Sequence, residues 1–468
     1  MWGMRLARAT ARGAMTPVTA ALACCVAAGC TSAATHVAGT APATAARTTP
    51  AGAAPPLPAR AVPSPGCTSA VSGASELSSV RSAMLPVPGN PFGVVATPDG
   101  RWAFVAVQGV TGGSSVEVLR LDGAAAPVLV RSITVPGTPL GETITPDGRY
   151  LLAADGAGAV VISVARAEAG TAGAVLGTLA APGATGAAAS AIEAAVSADG
   201  RFAFVTLEYD QQAAVFNLGR ALADGFGAAD YVGGIPLGQA AVGMAVSPDG
   251  RWLYATSEVE SSSAPRAAAV ARPADTAPPT GSTAGTTAGP KASAAAPGTA
   301  PGEPPGTLTV IDLRRAETDP AGSVVATVDA GCQPVRVITA ADGTQVWVTA
   351  RGSDDVLCFS AARLRADPSR ALVAAVRVGE APVGLAAVRG GSLLVVADSD
   401  RFAAVGASSD LEVVNVASAL AGRPAVVGEI GAGAFPRDMA LAPDGTLLVS
   451  DYQSDELEAV GVASIPGG

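Results

Sequence analysis

The sequence predicts an all-β chain: a seven-bladed β-propeller of four-stranded blades, its ring closed by an N-terminal strand. Three observations carry that expectation. A turn sequence recurs, Thr97-Pro98-Asp99-Gly100-Arg101-Trp102, with close copies ending at Tyr150, Phe202 and Trp252 and weaker ones around Gly343, Gly391 and Gly445. Its last glycines stand at 100, 148, 200, 250, 343, 391 and 445, so six steps separate seven units of one period, near 50 residues. The single long step, 93 residues, contains the Pro/Thr/Ala/Gly-rich run 261–305 and falls to 48 without it. A period of that size marks a radial repeat of small sheets.

Within a unit each element has a local cause. An apolar run such as Phe92 to Thr97 leads into the turn, where Asp-Gly supplies a tight reversal because glycine takes positive φ without steric cost. An alternating run follows (Trp102 to Val107), then a third (Ser115 to Leu121) and a fourth (Val128 to Val135). No stretch has a long helical period; the best candidate is 360–366, a turn or two. The seventh unit has only three strands, 437–441, 446–450 and 456–462, and the run from Glu76 to Val87 is free to serve as its fourth. Such closure leaves no long open sheet edge.

These repeats resemble the YVTN-type seven-bladed propeller family over about 77–465. The family's Tyr-Val-Thr-Asn reads here as Phe104-Val105-Ala106-Val107, Phe204-Val205-Thr206-Leu207 and Trp347-Val348-Thr349-Ala350, without the asparagine. The scaffold is also similar to that of propeller-type lactonases. The resemblance implies fold rather than activity.

Residues 1–29 read as a signal peptide: Arg5, Arg8 and Arg12 precede a short apolar stretch that ends Val26-Ala27-Ala28-Gly29-Cys30. That ending resembles a bacterial lipobox with Cys30 as the lipid attachment, although Ala27 stands where leucine is usual; an ordinary secretory cleavage nearby is the alternative. Residues 30–75, mostly Ala, Thr, Pro and Gly in their first part, read as a disordered tether, with the propeller at 76–468 interrupted by a disordered insertion at 261–305. The expected location is outside the cell, on the outer face of the cytoplasmic membrane, held by the N-terminal lipid only. Removing three leader arginines leaves 26 Lys+Arg against 39 Asp+Glu, a net charge of −13 that disfavours nucleic acid as a partner. In an oxidising compartment a Cys67–Cys332 disulfide fits, with Cys358 packing as a small hydrophobe; three free buried thiols are the other reading.

The sole histidine, His36, falls in the tether and the sole lysine, Lys291, in the insertion. The folded repeats therefore lack the side chains of Ser-His-Asp or Cys-His catalysis, histidine-bound metals and Schiff-base chemistry. No catalytic residue and no cofactor is assigned; carboxylates leave room for Ca²⁺ or for a glycosidase-like pair. Aligning the units places Gly93, Gly141, Glu193, Gly243, Arg336, Gly384 and Asp438 in one register at the start of the innermost strand, flanked by Glu142 and Arg437. Glu193, Arg336, Arg437, Asp438 and Glu142 are thus the candidate ligand-binding residues at the channel mouth; a self-satisfied Arg–carboxylate network is the competing reading. A second series, Asp155, Glu208, Glu258, Asp354, Asp355, Asp398 and Asp451 among others, predicts an acidic, solvated rim on that face. The chain is expected to be a monomeric binding or scaffold module for an envelope protein or a small polar ligand. The alternative is a lactonase-like or other carboxylate-dependent hydrolase acting at the channel mouth.

Overall fold

The structure, a computed structural model, describes residues 57–58, 60–67, 71–109, 113–121, 126–183, 190–260, 305–401 and 409–467. The leader, Cys30, His36 and residues 261–304 of the insertion lie outside the described residues. The described chain forms seven four-stranded antiparallel sheets, six of them running in sequence order from the innermost strand outward. Blade one comprises Asn90–Ala96, Trp102–Gln108, Ser115–Arg120 and Val128–Thr134. Blades two to six occupy 142–180, 191–236, 239–329, 334–377 and 382–431. Blade seven takes Pro436–Leu441, Thr446–Asp451 and Glu456–Gly461 from the C-terminal end and Ser82–Pro86 from before blade one.

That borrowed strand pairs antiparallel with the third strand of blade seven, Ser82 opposite Val460 and Pro86 opposite Glu456. The expected strand was longer, beginning at Glu76. The structure instead turns residues 75–77 to blade six: Glu76 forms a parallel bridge to Glu429, and the Leu77 amide donates to the Glu429 carbonyl at 2.7 Å. One segment thus staples two neighbouring blades.

The recurring turn is built alike in four blades. The Thr97 hydroxyl donates to Asp99 Oδ1 (2.6 Å) and accepts from the Trp102 amide (3.1 Å), while the Arg101 amide donates to the same carboxylate. Thr145/Asp147, Ser197/Asp199 and Ser247/Asp249 repeat the arrangement. Ala340 has no hydroxyl to offer, and in that blade Thr344 donates to Asp342 instead. The turns also tile around the ring. A Cβ on Gly148 would meet Pro98 at 3.7 Å, one on Gly343 would meet Pro248 at 3.7 Å, and one on Gly100 would meet Pro443 of blade seven at 3.3 Å.

The core is a set of inter-blade layers. One layer joins Leu152 and Val161 of blade two to Val205 and Phe216 of blade three; another joins Leu448 and Leu457 of blade seven to Val105 and Leu119 of blade one. Trp102, Tyr150, Phe202 and Trp252 pack into these layers, as their recurrence at the turn predicts. Helix is confined to short stretches between third and fourth strands in blades two to six: Val164–Ala169, Leu218–Asp224, Leu313–Ala316, Ala361–Ala366 and Val416–Leu420. Only the fourth was expected; stretches of four to seven residues show no usable period, and their signal is the cap, with Asn217, Asp312, Ser360 and Asn415 each accepting from a backbone amide. No helix among the described residues is long and apolar enough to cross a membrane.

The tether expected to stay disordered to residue 75 is ordered in its last part. The Val62 amide donates to the Leu372 carbonyl (3.0 Å), Arg363 Nη2 to the Pro58 carbonyl (2.9 Å) and the Ser72 amide to the Val378 carbonyl (2.9 Å). Leu57 and Val62 add apolar contacts to blades five and six, and Cys67 is joined to Cys332 by a disulfide. Cys358 is a free, buried thiol. The compositional argument for disorder holds only where a segment has nothing to bury against; here the exposed edges of fourth strands supply both hydrogen-bond partners and an apolar surface.

Candidate functional site

The innermost strands carry a bulge at one register in every blade but the second, between Pro91 and Val94, Ala191 and Ala194, Ala241 and Met244, Pro334 and Val337, Pro382 and Gly384, and Pro436 and Asp438. The bulge crowds neighbouring backbones around the axis. A Cβ on Gly93 would stand 2.4 Å from the Leu140 carbonyl oxygen, and one on Gly243 would stand 2.2 Å from that of Val335. At four of the junctions between blades a second-strand hydroxyl makes the stitch. Thr256 accepts from the Gly243 amide (3.0 Å) and donates to the Val335 carbonyl of the next blade (2.6 Å). Thr206, Thr349 and Ser450 do the same toward Val242, Val383 and Phe92. The recurring second-strand threonine or serine is therefore a bolt between blades.

Where the register departs from glycine, the side chains meet. Arg336 of blade five is paired through Nη1 with Glu193 of blade three and through Nη2 with Asp438 of blade seven, the latter at 2.8 Å. Asp438 also accepts from the Val94 amide of blade one at 3.2 Å. Burial pushes the Glu193 carboxyl up to about 7 against the pull of Arg336. Burial also opposes the charge on Arg336, but Asp438 and Glu193 outweigh it and hold its pKa above the ordinary range. Glu142 makes no ion pair with the triad among the described residues and is 6% exposed; burial, then Asp438, raise its carboxyl well above the ordinary range.

Arg437 points elsewhere. Its guanidinium lies 3.7 Å from the centroid of the Phe92 ring, with Phe435 at 5.4 Å and Tyr452 at 5.6 Å. It has no carboxylate partner among the described residues, and its Nε is buried without a hydrogen bond. Burial lowers its pKa to about 9, helped by the neighbouring cations Arg401, Arg336 and Arg351. A guanidinium stays charged at neutral pH in any case; the depression comes first from burial and then from the neighbouring cations.

A cavity of about 270 Å³ adjoins this cluster, lined by Arg336, Arg351, Arg401 and Arg437 with Phe92 and Tyr209, and by Glu193, Glu208 and Glu258. Arg351 is bonded to Glu258 at 2.8 Å. Arg401 reaches over the Phe435 ring at 5.9 Å and has no carboxylate within salt-bridge distance among the described residues. The acidic, solvated rim expected here is found only in part: Glu208, Asp210, Glu258, Glu260, Asp400 and Asp455 keep some exposure. Four arginines stand at the mouth, and Asp155, Asp354, Asp355, Asp398 and Asp451 are buried. Several of these hold loops: Asp155 accepts from the Thr138 amide (2.8 Å), Asp354 from that of Ala381 (3.0 Å), and Asp398 and Asp451 lie against Gly379 and Gly433. No group of three or more acidic, cysteine or histidine side chains is arranged to hold a metal among the described residues.

Of the five candidate residues, Glu193, Arg336 and Asp438 come together, Arg437 joins them across the cavity, and Glu142 does not line it. Arg351 and Arg401 escaped the sequence reading. The signal for Arg351 was present: it stands eight residues after its turn glycine, as do Glu208 and Glu258.

No family model and no curated protein matches the chain. Among solved structures, it is similar to Kuenenia stuttgartiensis hydrazine synthase at 16% identity and a TM-score of 0.56, covering 81% of this chain and 97% of that one. At that identity the likeness concerns the fold alone.

Proposed function

We propose that the chain is an exported, lipid-anchored propeller of the YVTN-repeat type that works as a binding module, with a small polar ligand held in the axial cavity. The observation that carries the binding reading is the cavity of about 270 Å³ at the axis, where charged side chains from several blades converge on a rigid floor. A seven-bladed ring supports binding or scaffolding without chemistry of its own. The hydrolase reading is weaker, because Glu193 and Asp438 are both engaged by Arg336 and the remaining candidate acid, Glu142, does not line the cavity. Export and anchoring rest on the leader ending at Cys30, and the Cys67–Cys332 bridge suits an oxidising compartment.

Two measurements test this. Cys30→Ala should move the protein from the membrane to the soluble fraction; full retention on membranes would refute the lipid anchor. Screening the processed protein by thermal shift against sugars, polyols, amino acids, amines and organic acids should reveal a stabilising compound. If no compound in any charge class raises the melting temperature, the cavity is a structural void.

A further inference from the structure

Counting charges around the cavity separates spent cations from unspent ones. Arg336 is committed to Glu193 and Asp438, and Arg351 to Glu258. Arg437 and Arg401 have no such partner among the described residues, although both line the same space and both reach the Phe435 ring. Arg401 is exposed, whereas Arg437 is half-buried; holding a cation away from water without a counterion is costly, and stacking on aromatic faces recovers only part of that cost. Glu208 lines the same space but makes no salt bridge with either arginine among the described residues; burial and Glu258 raise its carboxyl against the pull of Arg437. The Arg437 guanidinium stacks 3.7 Å from the Phe92 ring centroid, and both residues line the cavity.

We infer that the axial cavity is an anion site, in which Arg437 and Arg401 clasp the oxygens of a small carboxylate or phosphate-like ligand. Paired guanidinium groups match two-oxygen acceptors, and in a partly dry cavity such charge-assisted bonds are stronger than neutral ones. The cavity volume admits a body the size of a benzoate or lactate ion rather than a polymer. This inference rests on the binding reading above and narrows it to a charge class.

The test is titration calorimetry on the processed protein at low salt with benzoate, lactate and inorganic phosphate as probes. Benzamide serves as the neutral, isosteric partner of benzoate. Binding of at least one anion, with benzamide at least tenfold weaker than benzoate where benzoate is the binder, is the expected result. Arg437→Gln should weaken the anion at least tenfold, with Arg437→Lys restoring part of the loss. Arg401→Gln, on the more exposed side of the cavity, supplies the same comparison should Arg437→Gln fail to fold. Benzoate against phosphate distinguishes the carboxylate from the phosphate source. Equal binding of benzoate and benzamide, or unchanged anion affinity in the folded arginine variants, overturns the anion site and leaves the binding module standing. Silence of all three anions while a neutral or cationic compound stabilises the protein does likewise. Silence of every compound overturns both.

Discussion

At the residue scale, the inner ring depends on what is missing from a side chain as much as on what is present. Gly243 has the carbonyl oxygen of Val335 where a Cβ would be, and backbone cannot swing aside as a side-chain tip can. Gly243→Ala should therefore cost about 1–3 kcal/mol by forcing two innermost strands apart, read as a lower midpoint in urea. Gly73→Ala, with nothing within 4 Å of the new methyl, is the neutral control. The ring register was legible because glycine and charge alternate with the blade period: Gly93, Gly141, Gly243 and Gly384 against Glu193, Arg336 and Asp438. The pairing within the ring was not, since a register fixes which positions face the axis but not which reach across it. Arg437 shows the limit. One residue along a strand from Asp438, it belongs to an aromatic cage made by Phe92 and Tyr452, residues 345 and 15 positions away in sequence.

At the scale of elements, the segment before the ring acts as a strap. It touches blade five through Val62, is bonded to Cys332, passes to blade six at Ser75 and Leu77, and ends in blade seven at Ser82–Pro86. Cross-linking residues separated by 265 positions removes much unfolded-state freedom, typically about 2–5 kcal/mol. Cys67→Ser should lower the melting temperature, and dithiothreitol should lower it in the parent protein but not further in the variant. An unchanged melting temperature in the variant would mean that the hydrogen bonds alone hold the strap. The closing strand could be foreseen by counting, because three strands at one end require a fourth. The strap could not: its composition resembles the tether before it, and its order comes from strand edges distant in sequence.

For the whole molecule, an acidic domain with few cations must bury carboxyls that lack them. Burial and neighbouring carboxylates push Asp451 up to about 8 and Asp410 and Glu458 to about 7, and Asp398 rises for the same reasons. Such a group binds its proton more tightly folded than unfolded, so stability falls as pH rises from the ordinary carboxylate range to about 8. Asp99, Asp147, Asp199 and Asp249 act in the opposite sense. Hydroxyls and amides of the recurring turn lower their pKa despite some burial, and that stability is lost as pH falls below the ordinary carboxylate range. The melting temperature should therefore peak near pH 5 and be lower at pH 8; a higher value at pH 8 would contradict the protonated cores. The fold was readable from period and turns alone, whereas the sign of the mouth was not. Net charge is a sum over the chain, and the structure buries several of its acids as loop anchors while Arg351 and Arg401 line the axial cavity.

The last blade sets a schedule for synthesis. Its outermost strand is made before the other described strands, yet its partner, Glu456–Gly461, is made after them. Until then Ser82–Pro86 waits unpaired, and a chain halted short of residue 456 has no way to join its two ends. The circle therefore closes only once the last of the described strands has been made.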